Sequence, residues 1–265
     1  MAQTVQNYFS LKTPRPKKGK KLANSELIGV EVELEHVKIR DVFDWPWQVQ
    51  EDHSLKKQGK EFTLLVYHNY AKIAIRNLLE STLSKPTQRC GIHVHINAQD
   101  LTLEEIQVFL MYYMVFERAL YKYSGKRWTN IFCVPLREWM LSLDFDLLSN
   151  LVDMWQKYSG LNLLTLRELG TIEFRQMVSS HNATYIQGWI NMIVALKKAS
   201  KGKNKDDVIQ QITELNGTSG YWHLMQQIFG DLAYALQYAN LKDDLEDCIA
   251  HTKLCLCTPQ HYQGV

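Results

Sequence analysis

The sequence lacks several features that would assign it to a specialised class. Its 265 residues include five cysteines but no Cys-x-x-Cys pair, so we expect neither a disulfide framework nor a thiolate zinc site. No apolar run reaches the ~18 residues of a membrane span, and the start shows no hydrophobic leader. The formal net charge is only +2, which argues against a dedicated nucleic-acid binder. These absences indicate a reducing, cytoplasmic setting.

The composition is that of an ordinary globular protein. Apolar residues make up 46% and charged residues 22% of the chain, and 265 residues are enough to bury a sizeable core. The N-terminal part differs, because it concentrates basic residues that are interrupted by Pro14 and Pro16 and has no acid among them. These cations are Lys12, Arg15, Lys17, Lys18, Lys20 and Lys21. We therefore predict a flexible basic arm over residues 1–25, either solvated or in contact with an anionic partner.

Three separated segments alternate apolar with ionisable residues at a period of two. They are Ile28–Glu35, Gly91–Ile96 and Thr171–Arg175. As strands, each would place its apolar side chains on one face and its ionisable side chains on the other. The ionisable sets are Glu31, Glu33 and Glu35, then His93 and His95, then Glu173 and Arg175. Any one segment is typical of a solvated sheet face, but three acids in a row repel each other unless a cation is present. Together they favour a metal site.

The remaining periodicity predicts an α+β fold with strands first and helices afterwards. Further extended segments are expected over residues 45–52 and 61–66, and helices over 70–83, 102–123 and 146–158. From about Ala183 onward the pattern is helical, with breaks at Gly202 and Gly217. We expect a curved, largely antiparallel sheet with helices packed on one face. We predict a catalytic domain over 26–200 and a helical C-terminal extension over 201–265.

The residue types on the predicted face point to phosphoryl transfer. Carboxylates and a histidine can hold Mg²⁺ or Mn²⁺. Arg175 lies two residues from Glu173 and therefore on the same face, where a guanidinium beside bound metal would meet an anion. Metal ions and arginine acting together on one polyanion are what phosphoryl transfer needs. A hydrolase that uses metal-bound hydroxide remains an alternative.

Six motifs, taken in order along the chain, resemble the amidoligase family. This family is a branch of the glutamine-synthetase-like carboxylate-amine ligase superfamily and is common in phages and bacteria. The motifs are Gly29-Val30-Glu31-Val32-Glu33, Asp52-x-Ser54-Leu55 with Gly59-x-Glu61, Gly91-Ile92-His93-Val94-His95, Arg127-x-x-Asn130, Leu161-Asn162-Leu163 and Gly170-Thr171-Ile172-Glu173-Phe174-Arg175. The resemblance covers roughly residues 26 to 195. It departs from the family pattern at His53, where a glycine is usual.

The resemblance implies a role for each matching position. Glu31, His93 and Glu173 would surround one metal ion, and Glu33 and Glu61 would hold another. His95 would face nucleotide phosphates, Arg175 would neutralise the transferring phosphoryl group, and Arg127 would be a second cation for phosphate or for a substrate carboxylate. Asp52 and Asn162 would be substrate-side or structural residues.

The activity implied by the resemblance is ATP- and Mg²⁺-dependent amide formation through an acyl phosphate. A peptide, a protein side chain or a free amino acid could supply the carboxylate and the amine. A phage-encoded member would act in the host cytoplasm. Two alternatives stay open: a metal-dependent amide or phosphoester hydrolase, and a non-catalytic phage protein that binds a host partner. Glu35 reads as a supporting or solvated acid, and Cys90 as a packing residue.

Overall fold

The structure is a computed structural model that describes residues 2–14, 26–55, 59–85, 87–143, 145–237 and 242–257. The strands are β1 (Leu27–Ile39), β2 (Gln48–Glu51), β3 (Lys60–Tyr67), β4 (Thr82–Lys85), β5 (Gly91–Asn97), β6 (Leu161–Asn162) and β7 (Thr171–Val178). The helices are α1 (Val5–Tyr8), α2 (Ala71–Glu80), α3 (Leu103–Ser124), α4 (Leu148–Asp153), α5 (Thr165–Glu168), α6 (Ala183–Ser200), α7 (Lys205–Glu214), α8 (Gly217–Phe229), α9 (Ala233–Gln237) and α10 (Lys242–Cys257).

One open antiparallel sheet organises the described part of the chain. Its strand order is β2-β3-β1-β5-β7-β6, so β1 lies between β3 and β5. The far half of β1 pairs with β4, and this pairing contains a register shift between Glu35 and Lys38. The predicted α+β class with an antiparallel sheet is therefore confirmed.

The apolar face of the sheet packs against helices α3 and α6. Phe174 of β7 shows this contact, because its ring meets the edges of Phe109 and Tyr113 on α3 and of Trp189 on α6. On β1 the alternate residues Ile28, Val30, Val32 and Leu34 are buried in the same core. The side chains that alternate with these apolar residues along each strand therefore point to the other face of the sheet.

Helix α3 sets the position of the loop that follows it. The helix begins with a capping box, in which Thr102 accepts from the Glu105 backbone N–H and the Glu105 side chain accepts from the Thr102 N–H. It ends at Gly125, whose φ of 107° lies in the left-handed region that favours glycine. The chain then passes into the irregular segment 126–135, which runs beside β7.

Two predicted helices end earlier than the sequence pattern indicated. The prediction of a helix over 70–83 was wrong at its end, because α2 stops at Glu80 and Thr82–Lys85 instead pairs with β1. The prediction of a helix over 146–158 was wrong on both sides of α4. There the indole N–H of Trp155 donates to the Leu161 carbonyl at 2.8 Å, which turns the chain after Asp153. Tertiary contacts override helical periodicity at both sites.

The two ends of the chain are described in part. Near the start, Val5 is buried and its backbone N–H donates to the Leu101 carbonyl. Residues 15–25, with most of the cations of the predicted arm, lie outside the described residues, and the arm remains a prediction. Toward the other end, the rings of Tyr221 and Phe229 on α8 contact the ring of Phe116 on α3, the first at a tilt and the second edge-on. No helix in the described ranges is both long and apolar enough to cross a membrane.

Candidate active site

The ionisable side chains of β1, β3, β5 and β7 meet on the sheet face opposite the helices. The strand register pairs Glu31 with His93 across β1 and β5, and Glu33 with Glu61 across β1 and β3. It also pairs His95 with Glu173 across β5 and β7. Directly opposed residues of antiparallel strands point to the same face, so the alternation in each strand produces one charged surface.

The first cluster of this surface consists of Glu31, His93 and Glu173. One possible ligand atom from each residue lies within 4.8 Å of the others. The His93 Nδ1 is 3.1 Å from Glu31 Oε2 and 3.5 Å from Glu173 Oε1. His93 and Glu173 are buried, whereas Glu31 is half-buried. These are the residues that the family resemblance groups around one ion.

The second cluster consists of Glu33, Asp52 and Glu61, and its ligand atoms also lie within 4.8 Å of one another. Glu33 Oε2 accepts a hydrogen bond from the Gly91 backbone N–H at 2.6 Å, and Gln50 Nε2 donates to Glu61 Oε1 at 2.6 Å. Sequence reasoning grouped Glu33 with Glu61 but left Asp52 without a metal role. The signal was present, because Asp52 follows directly on the strand that pairs with Glu61.

His95 joins the first cluster to the neighbouring part of the face. Its Nε2 lies 3.1 Å from Glu31 Oε1, and its Nδ1 lies 3.1 Å from the hydroxyl of Thr171. The Thr171 hydroxyl can either donate to Nδ1 or accept from it, so this hydrogen bond is compatible with either tautomer of His95. With both ring nitrogens near polar groups, the ring is held in a defined orientation.

Two arginines lie beside the clusters and differ in their contacts. Arg175 donates from Nη1 to Glu173 Oε1 at 2.9 Å and from Nε to the Phe132 carbonyl at 3.4 Å. Its Nη2 has no hydrogen-bond partner among the described residues. Arg127 is buried, and its Nη1 donates to the carbonyls of Arg175 and Met177 at 3.2 and 3.1 Å. Arg175 therefore keeps a donor for a ligand, while Arg127 holds the irregular stretch of β7.

Gly91 provides the space in which the charged groups meet. A Cβ at this position would collide with Arg127 Nη1 and would lie 3.3 Å from both Glu33 Oε2 and His93 Nε2. Only a residue without a side chain admits an arginine, a glutamate and a histidine this close to the strand backbone. The glycine of the Gly-Ile-His-Val-His motif therefore belongs to the site.

The mutual contacts shift the pKa values of three groups. Burial acts to raise the pKa of Glu31, but hydrogen bonds from His93 and His95 hold it well below its usual range. Burial acts to lower the pKa of His93, yet the carboxylates of Glu31, Glu33 and Glu173 raise it. Burial and the charge of Glu31 raise the pKa of Glu61. The charged groups of this face are therefore close enough to change one another's pKa values.

A cavity of about 430 Å³ opens on the same face, next to His95. Its lining is mainly apolar, with a few polar groups close to the clusters. The lining residues include Leu27, Gly29, Leu65, Pro46 and Leu169, with Gln48, Thr63, Asn97, Thr171, His95 and Glu31 on the polar side. An apolar cavity with polar groups converging at one end is the usual form of a small-molecule site.

Two residues that the sequence analysis set aside have structural contacts. Glu35 is buried and receives two hydrogen bonds from Arg89, at 3.0 and 3.3 Å. Cys90 is buried, and its burial raises the pKa of the thiol, which disfavours the reactive thiolate. Glu35 therefore serves charge pairing with Arg89, and Cys90 serves packing, at the end of the site.

A comparison with known proteins finds a family match for the part of the chain that carries the β5 and β7 residues of the charged surface. Residues 71–197 match the family model described as "Putative amidoligase enzyme", whereas no curated protein matches the chain significantly. The matched segment contains β5 and β7, with His93, His95, Glu173 and Arg175, and the Arg127 loop between them. The resemblance to the amidoligase family that the sequence motifs indicate is therefore confirmed over residues 71–197, which are similar to that family.

Proposed function

We propose that this protein is an ATP- and Mg²⁺-dependent carboxylate-amine ligase that forms an amide bond through an acyl phosphate. The observation that carries the proposal is the arrangement of the sheet face. Two three-residue clusters and Arg175 lie together beside a 430 Å³ cavity. Cation sites, a guanidinium donor without a partner among the described residues and a cavity for an organic body are the parts that nucleotide-driven activation of a carboxylate requires.

The donor sets suit divalent cations with a preference for oxygen. Glu33, Asp52 and Glu61 offer only carboxylate oxygens, and Glu31, His93 and Glu173 offer two carboxylates and one imidazole. Such sets are typical of Mg²⁺ and Mn²⁺. The pKa of Glu61, which is raised by burial and by the charge of Glu31, also fits, because neighbouring carboxylates repel each other unless a cation lies between them. When bound, the ions would neutralise the phosphate charge.

The cavity is the proposed place of the nucleoside. Its apolar floor at Leu27, Gly29 and Leu65 can bury a base, while Asn97 and Gln48 offer hydrogen bonds. The phosphates would then extend past His95 toward the clusters. In this arrangement His95 orients the phosphate chain, and the Nη2 of Arg175 donates to the phosphoryl group as it transfers.

The reaction would proceed in two steps on this surface. The substrate carboxylate attacks the γ-phosphorus of ATP, which releases ADP and leaves an acyl phosphate. An amine then attacks the acyl carbon and loses a proton, and inorganic phosphate leaves. Arg175 balances charge in the first step, and Arg127 supports it by holding the β7 backbone that carries Arg175. The substrate pair would come from peptides, protein side chains or amino acids in the cytoplasm.

Trapping of the acyl phosphate tests this proposal without knowledge of the natural amine. Hydroxylamine replaces the amine and converts an acyl phosphate into a hydroxamate. Purified protein is incubated with ATP, Mg²⁺, hydroxylamine and pools of amino acids, peptides and proteins, and hydroxamate and ADP are measured. We expect equal amounts of both products, and neither when ATP or Mg²⁺ is omitted. Substrate cleavage that needs metal but no nucleotide would instead establish the hydrolase. The absence of both activities would indicate a non-catalytic binding protein.

A further inference from the structure

The two carboxylate oxygens of Glu173 have separate partners. Oε1 lies 2.9 Å from Arg175 Nη1 and 3.5 Å from His93 Nδ1, so it faces the first cluster. Oε2 accepts a hydrogen bond from Asn162 Nδ2 at 2.7 Å. Asn162 is buried and lies directly opposite Glu173 across β6 and β7. One oxygen is therefore directed to the site and the other is held away from it.

Asn162 is itself fixed by a turn. Its Oδ1 accepts a hydrogen bond from the Leu164 backbone N–H at 3.0 Å, which is an Asx turn that orients the amide. The hydroxyl of Thr165 donates to the Thr171 carbonyl at 2.7 Å and so holds this turn against β7. Leu161 and Leu163, on either side, are fully buried. The side chain of Asn162 therefore cannot follow Glu173 if that carboxylate moves.

We propose that Asn162 is a positioning residue that makes Glu173 present a single oxygen to the cation of the first cluster. This inference rests on the proposed function. The competing group is Arg175, because a guanidinium binds a carboxylate best through two parallel hydrogen bonds. By holding Oε2, Asn162 prevents Glu173 from turning both oxygens toward Arg175. The same contact keeps Arg175 Nη2 available for phosphate.

The neutral amide is the suitable group for this task. A second cation at position 162 would compete for Glu173 as Arg175 does, and an acid would repel Oε2. An amide donates a hydrogen bond without changing the charge of the cluster. Partners that orient metal ligands in this way commonly change metal affinity 10- to 100-fold when they are removed.

Mn²⁺ titration of the full chain tests the inference. Affinity is measured for wild type and for Asn162→Ala, with Asn150→Ala as the control, because Asn150 is exposed on α4. We expect Asn162→Ala to weaken Mn²⁺ binding about 10- to 100-fold and Asn150→Ala to leave it unchanged. Asn162→Ser is included because a hydroxyl can accept from Leu164 N–H and preserve the turn, while the amide donor to Glu173 is lost. It should show the same loss with a near-normal melting temperature.

A double-mutant cycle tests the competition with Arg175. In an Arg175→Ala background, the guanidinium that would capture Glu173 is absent, so Asn162→Ala should weaken Mn²⁺ binding by less than about threefold. In the hydroxamate assay, Asn162→Ser should raise the Mg²⁺ concentration for half-maximal rate more than it lowers the maximal rate. Unchanged Mn²⁺ affinity in Asn162→Ser, or equal losses in both Arg175 backgrounds, would overturn the inference. Failure of wild type to bind Mn²⁺ would overturn the proposed function as well.

Discussion

At the scale of single residues, Arg175 and Arg127 have different roles because their contacts differ. Arg175 has a side chain that is only partly buried and leaves Nη2 without a partner in the described structure, whereas Arg127 is buried on two backbone carbonyls. The first can respond to a ligand, and the second maintains the strand. Sequence reasoning gave Arg175 a phosphate role and Arg127 a phosphate or substrate-carboxylate role, because residue type alone does not reveal backbone contacts.

Replacement of Arg175 separates phosphoryl transfer from metal binding. Arg175→Ala should lower hydroxamate formation by about 10²- to 10³-fold, since one preorganised donor in a catalytic site is worth several kcal/mol. Mn²⁺ affinity should stay within a few-fold of wild type. Arg175→Lys should recover little, because an ammonium lacks the planar pair of donors. Arg167→Ala is the control, as Arg167 is half-exposed and pairs with Asp153. Near-normal hydroxamate formation by Arg175→Ala would show that this residue is structural.

Glu117 should make the stability of the protein depend on pH away from the site. Burial raises the pKa of this carboxyl to about 7, although backbone N–H groups of Leu136 and Arg137 donate to it. Below pH 4.5 both folded and unfolded chains keep the proton, and its contribution is fully present. As pH rises to about 7 the unfolded chain ionises first, so stability falls by on the order of 3 kcal/mol.

Urea unfolding of wild type and Glu117→Gln at several pH values measures this effect. Glutamine cannot ionise, so the free energy of unfolding of wild type should fall relative to the variant between pH 4.5 and 7.5. A constant offset between the two curves reports only the changed hydrogen bonds. Glu138→Gln is the matched control, because Glu138 is exposed and one residue from Arg137. Parallel curves for wild type and Glu117→Gln would contradict the prediction.

At the scale of elements, the alternation of side chains between the two faces of a strand explains what could be predicted from sequence. The period-two pattern predicted that Glu31, His93 and Glu173 share a face, because parity is a local property of the backbone. The metal role of Asp52 was missed, because its motif was assigned a substrate-side or structural role, and the two-residue strand β6 was missed because so short a strand has no period. The ends of α2 and α4 were also wrong, because a strand pairing and the Trp155 contact decide them. Periodicity in the sequence therefore predicts which face of a strand a side chain occupies, whereas tertiary contacts decide where a helix ends.

Gly91 provides a test of the crowding at the start of β5. Gly91→Ala would bring a Cβ against Arg127 Nη1, which is held by two carbonyls and cannot easily move away. We expect Mn²⁺ affinity to fall at least tenfold and the free energy of unfolding to fall by about 1–3 kcal/mol. In the control Gly220→Ala, the nearest atom to the new Cβ is 3.6 Å away, so binding should be unchanged. Equal Mn²⁺ affinity in the two variants would argue against the proposed role of Gly91.

At the scale of the whole molecule, the sheet joins a charged surface to an apolar core. Helices α3 and α6 bury one face of the same strands whose other face gathers the two clusters. The carboxylates gathered on that face repel one another, and this repulsion opposes folding until cations bind. Ligands that bind only the folded state raise its apparent stability by mass action.

Thermal unfolding should therefore depend on divalent cations and nucleotide together. We expect Mn²⁺ or Mg²⁺ to raise the melting temperature of wild type by several degrees, and ATP to raise it further only when a cation is present. The cations would screen ATP from the carboxylates. Glu61→Gln should reduce the response to cations, whereas Glu138→Gln should not. Equal stabilisation by ATP with and without a chelator would contradict this coupling.

The position of β1 between two partners also bears on how the chain finds its native strand pairing. A slip of one residue would turn Glu31 and Glu33 into the core, at a prohibitive cost. A slip of two residues would keep the apolar face intact, since Ile28, Val30, Val32 and Leu34 are similar in size. It would, however, place Glu31 opposite His95 instead of His93, and Glu33 away from Glu61. The charged pairs of the candidate site thus select one register among those that the core alone would accept.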